Sequence, residues 1–121
     1  MREEFQWAVG LFEGEGSITV WTATWNTNKQ KYARLSIGSI DIDVLRKFFR
    51  VVSVGRINGG RKGYIKKNKD GRKRKPIWDW SVSGVVAENL CKAMLPFLGK
   101  RRRQKAKEVL KEVKIWQTTQ K

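Results

Sequence analysis

"WAVGLFEGEGSITVW" (residues 7–21) holds three patterns end to end. Trp7 to Phe12 is an apolar run, Glu13 to Gly16 alternates acid with glycine, and Ser17 opens a stretch of β-branched and aromatic residues. The spacing predicts a helix over Glu3–Phe12, ended where Gly14 and Gly16 break the pattern, then a strand over 17–25. Gly10 and Gly14 lie four apart, on one helix face. Glycine weakens a helix interior, so its presence there suggests close approach by another backbone. A second copy of the same helix is the simplest partner and creates a two-fold axis. Ala8, Gly10, Leu11, Glu13 and Gly14 are then the expected interface, and Glu13 and Glu15 recur as symmetric pairs near the axis. A plainer alternative is a helix end with solvated glutamates and a glycine turn.

Working outward, the remaining elements follow from pattern. Residues 26–29 read as a turn and 30–38 as a second strand. The segment 41–52 reads as a helix capped by Asp41, with Val44, Leu45, Phe48 and Val52 on one stripe. "VGRI" (54–57) starts a third strand, "IWDWSVS" (77–83) is a fourth, and 58–76 reads as a long hairpin extension. A helix over 85–98 ends near Pro96. The last helix, 100–116, carries Ala106, Val109, Leu110, Val113 and Trp116 on one face. The order is helix, two strands, helix, two strands, two helices, with each half a faint echo of the other. The expected fold class is α+β over one domain, 1–121: an αββαββα arrangement with a four-stranded antiparallel sheet and its helices on one face. The opposite sheet face must meet solvent or a partner.

Composition restricts that partner. Of 121 residues, 27 are Lys or Arg and 11 are Asp or Glu, a net charge of +16. Such an excess points to a polyanion. The basic runs lack the apolar opposite face of a membrane-surface helix, and no stretch approaches the roughly 20 apolar residues of a membrane span. No signal peptide is expected, so an intracellular location is. The one cysteine, Cys91, precludes an internal disulfide and suits a reducing compartment. The absence of histidine removes His-based acid–base chemistry and most zinc sites.

Alternation in the strands divides their residues between two faces. If Ile18 and Val20 point to the helices, then Thr19, Trp21 and Trp25 point outward, beside Gln30, Tyr32, Arg34 and Ser36. Opposite parity would make the two tryptophans core residues. Arg56, Asn58 and Asp79 join the outward set, whereas Trp78 and Trp80 read as core. Residues 61–75 hold nine basic side chains, among them Arg61, Lys62, Lys66, Lys67, Arg72 and Arg74. Residues 100–107 hold six, including Lys100 and Arg102. Two basic runs flanking an open sheet favour phosphate contact. Tryptophan beside arginine and glutamine suits thymine methyls and base edges. Paired carboxylates suit Mg²⁺, which takes one or two carboxylates and keeps positions for water and phosphate oxygens, and so supports phosphodiester hydrolysis.

"AVGLFEGEGS" (8–17) resembles the signature of the LAGLIDADG homing endonucleases, in the variant with glutamates for aspartates. The likeness extends through "RLSIGSIDIDVLRKF" (34–48), "VGRI" (54–57), "WDWSVSG" (78–84) and "LPFLGKRRRQKAKEVL" (95–110), and so over nearly the whole chain. The resemblance implies a saddle-shaped fold with its sheets in the major groove. Glu15 becomes the metal-binding acid, helped by the Gly14 carbonyl, and Glu13 a more structural residue between paired helices. A single motif implies a homodimer cutting both strands of a long, pseudo-palindromic DNA. Mg²⁺ is the expected cofactor; Mn²⁺ substitutes, and Ca²⁺ supports binding without cleavage. No small-molecule substrate is expected. Two departures matter. Ser39 stands where the family often has glutamine or asparagine near the cleavage site. After "PFL", Arg101 is the choice for the basic residue at the scissile phosphate, where its role would be charge stabilisation. The rival readings are a non-cleaving protein of this fold, such as an intron-splicing maturase or regulator, and a basic RNA- or ribosome-associated module without metal.

Overall fold

A computed structural model describes residues 2–25, 28–59 and 77–119. Helix α1 (Arg2–Glu15) runs straight into strand β1 (Gly16–Trp25), which pairs with β2 (Asn28–Ser39). Helix α2 (Ile42–Val52), strands β3 (Arg56–Gly59) and β4 (Trp78–Ser83), helix α3 (Val85–Met94), a 3₁₀ turn over Leu95–Phe97 and helix α4 (Lys100–Thr119) follow. The strands form one antiparallel sheet in the order β1-β2-β4-β3. This is the α+β class read from the sequence. The expected hairpin extension lies, from residue 60 to 76, outside the described residues, together with Arg61, Lys62, Lys66, Lys67, Arg72 and Arg74.

The largest correction falls on α1. The helix does not stop near Phe12 but continues through Gly14 to Glu15. Helix propensity yields here to packing, because the last turn seats Phe12 in the core. The corner into β1 then has no room. A Cβ on the buried Gly16 would collide with the Phe12 ring and carbonyl, so the second glycine of the motif is a steric requirement of the fold. Helix α2 begins as expected: Asp41 Oδ1 accepts from the Asp43 and Val44 amides at 3.0 and 3.4 Å. Helix α3 ends earlier than expected, at Met94, because Pro96 permits only a 3₁₀ turn.

The core lies between the helices and one sheet face. Ile18, Ala33, Leu35, Ile37 and Trp80 supply the sheet side. Ala8, Val9 and Phe12 of α1, Leu45 and Phe48 of α2, Met94 of α3 and Ala106, Val109 and Val113 of α4 meet them. Trp80 is wholly buried, edge-on to Phe48 at 4.7 Å between ring centres, and its indole donates to the Val54 carbonyl at 2.9 Å. Gly55, at φ +97°, gives that indole space that a Cβ would occupy. Ala8 is fully buried in this core. That removes it from the expected interface between copies; helical phase turns it away from Gly10.

Candidate nucleic-acid interface

Because the inward parity of the strands is buried, the outward parity forms an uncovered polar face. The register arranges it in rows across the sheet. Nearest the end of α1 stand Gly38, Asp79 and Asn58; next come Ser17, Ser36, Ser81 and Arg56. Thr19, Arg34 and Ser83 form the third row, Trp21 and Tyr32 the fourth, Ala23 and Gln30 the fifth. The expected parity therefore holds: Trp21 is 45% exposed while Ile18 is 2% exposed. Trp21 and Tyr32 pack as a tilted aromatic pair, 5.8 Å between ring centres, and the Tyr32 hydroxyl donates to Gln30. For Trp25 the backbone register alone is informative, opposite Asn28. Ser17 and Ser83 join this face without having been singled out above. Their parity with Thr19 and Ser81 is the signal that finds them.

Side chains at the α1 corner take unequal roles. Arg102, expected on DNA, turns inward. Its guanidinium donates to the carbonyls of Glu13, at 2.9 Å, and Gly16, and lies 5.9 Å from the Phe12 ring centre. A cation at a helix C-terminus satisfies carbonyls the helix leaves open and offsets its dipole. Glu13 is partly buried, with Oε1 against Gly99 at the start of α4, and its Oε2 is buried without a hydrogen-bond partner among the described residues. Its carboxylate thus sits at the positive end of α4. Ser39 carries the inward parity of β2, and its hydroxyl accepts from the Asp41 amide at 3.0 Å. In this structure it serves the turn into α2. Glu15, Lys100 and Arg101 are exposed.

The outer side of α1 is bare. Gly10 and Gly14 are exposed, and a Cβ built on either meets nothing within 4 Å. Leu11 is partly buried against the core. The donors suited to a hard divalent cation are the Glu15 carboxylate and the Gly14 carbonyl, one of those the last helical turn leaves without an intrahelical partner. Among the described residues no three metal-ligating side chains cluster. The Glu15 and Gly14 donors fit Mg²⁺, which needs only one or two carboxylates and fills its other positions with water and phosphate oxygens.

No protein-family model and no curated protein sequence matches this chain. Solved structures do. The homing endonuclease I-CvuI, in complex with its target in the presence of Ca, superposes with a TM-score of 0.68 at 19% identity, over 93% of this chain and 67% of that one. The group I intron-encoded homing endonuclease I-CeuI, complexed with DNA, gives 0.67 at 12% identity, over 98% and 57%. The LAGLIDADG homing endonuclease I-GzeII, in complex with a DNA target, gives 0.67 at 12% identity, over 94% and 36%. This chain has the LAGLIDADG homing-endonuclease fold. It spans two thirds or less of the length of these three structures. Among the described residues no helix is long and apolar enough to cross a membrane.

Proposed function

We propose that this protein is a divalent-metal-dependent, site-specific DNA endonuclease acting as a homodimer on a long pseudo-palindromic site. The observation that carries the reading is the corner where α1 meets β1. There an exposed carboxylate, Glu15, ends a helix whose free face is glycine, beside an uncovered polar sheet and the exposed Lys100 and Arg101. Two copies joined along Gly10 and Gly14 bring two Glu15 carboxylates together, with two sheets extending to either side. Glu15 and the Gly14 carbonyl would hold Mg²⁺, which supplies Lewis-acid assistance to phosphodiester hydrolysis. Arg101 serves to stabilise charge on the scissile phosphate. Nine strand residues at about 3.3 Å each cover some nine base pairs at about 3.4 Å, close to twenty for two copies. The I-CvuI complexes with DNA, one with Ca and one with Mg in which the DNA is not cleaved, support divalent ions as companions of binding in that protein.

The test is a selection from randomised duplexes in Ca²⁺, followed by cleavage of the selected site with and without Mg²⁺ or Mn²⁺. Glu15→Gln is expected to abolish cutting while binding persists. A variant that cuts at the wild-type rate overturns the metal assignment. A wild type that binds a defined site and never cuts it places the protein among the non-cleaving binders.

A further inference from the structure

On a sheet proposed to face DNA in a chain of charge +16, one strand residue has the wrong sign. Asp79 is exposed, carries the outward parity of β4, and is the sole acid among the described strand residues. Its neighbours leave it unpaired. Across on β2 is Gly38, where even a Cβ would lie 3.2 Å from Asp79 Oδ1, so glycine keeps the carboxylate's flank clear. Across on β3 is the neutral Asn58. Arg56 is only diagonal to it, and no ion pair or hydrogen bond joins Asp79 to a described residue.

We propose that Asp79 accepts a hydrogen bond from the exocyclic amino group of a cytosine in the major groove, one per half-site. This rests on the proposed DNA-binding reading and deepens it. A carboxylate accepts and cannot donate, and a phosphate repels it, so of all duplex groups only base-edge donors remain. The major groove offers two, cytosine N4 and adenine N6. Adenine sets its N7 lone pair beside N6, which repels an acceptor arriving in the plane of the base. Cytosine sets a C–H there. Position agrees: the Gly38–Asp79–Asn58 row is the one nearest α1, so the cytosine belongs to the inner part of each half-site. The acid also gives discrimination by repulsion, since any base presenting only acceptors leaves a desolvated charge unpaired.

The experiment is duplex selection in Ca²⁺ with wild type, Asp79→Asn, Asp79→Ala and, as a control, Asp43→Asn, an exposed acid on α2. Wild type is expected to favour cytosine about tenfold at one inner position of each half-site. Asp79→Ala flattens that position and leaves the others. Asp79→Asn moves the preference toward adenine, which matches a side-chain amide. Both Asp79 variants bind random-sequence duplex more tightly than wild type, and Asp43→Asn does not. Thermal melts of the exposed-site variants should match wild type. An unchanged preference in Asp79→Ala overturns the assignment, as does equal loss at every position. A wild type that enriches no sequence instead overturns the site-specific reading beneath it.

Discussion

Adding one methyl group to α1 should strengthen the protomer and break the proposed pairing of two copies. Gly10 and Gly14 sit in a regular helix with no positive φ, and a Cβ on either meets nothing within 4 Å in the protomer. Gly10→Ala therefore gains helix propensity of about 1 kcal/mol at no steric cost. For a domain of this size that raises the midpoint of a dilute-solution melt by about 4 °C. If this face abuts its own copy, each new methyl enters a packed contact and costs about 1–3 kcal/mol. A two-fold axis counts it twice, giving about 2–6 kcal/mol per dimer, or a dissociation constant raised about 30-fold to 10⁴-fold. Sedimentation velocity over a range of concentrations reads the second quantity and dilute thermal melts read the first. Asn89→Ala, on the exposed surface of α3, serves as a control. Opposite signs are the signature: a more stable chain that no longer pairs. Unchanged self-association beside a raised midpoint would mean that the glycine face meets only water, and the shared metal site would fall with it.

Arg102→Met removes two charge-assisted hydrogen bonds to the end of α1 and should cost about 2–3 kcal/mol in urea denaturation. Its DNA-binding salt slope should stay at the wild-type value, whereas Arg101→Met should lower that slope by about 1. Burial pushes the Cys91 thiol up to about 11, against the weaker downward pull of Lys92. A thiol reagent at pH 8 should label the protein only once it unfolds. The unfolded chain ionises first, so the wild-type stability relative to Cys91→Ala should fall as pH rises from about 9 to about 11. Replacing thymine by uracil in the selected site should weaken wild-type binding where Trp21 and Tyr32 contact methyl groups, and Trp21→Ala should erase that difference. Gel-shift titration reads it, and a melt of Trp21→Ala should show little loss, because Trp21 is 45% exposed.

Much of this architecture is legible in local pattern. Strand parity, the Asp41 cap, the stripes of α2 and α4 and the order of elements each depend on residues a few positions apart, which is the range over which periodicity and capping act. The outward set from Thr19 to Ser36 is readable for the same reason: alternation alone separates it from Ile18 and Leu35. The fold class and the acidic corner of the motif come from the sequence in this way. What alternation and spacing could not assign was which partner a side chain finds far along the chain. Arg102 belongs to the carbonyls of Glu13 and Gly16, nearly ninety positions away. Ala8 and Gly10 look alike as small helix residues, yet one is sealed in the core and the other is bare, because only docking of α1 sets its rotation. Ser39 stands at a strand end that pattern leaves free to face either way, and its bond to Asp41 turns on the path into α2. Composition and periodicity act through short-range chemistry and determined the elements and their faces; contacts closed by folding decided which polar groups are consumed by the protein itself and which remain exposed.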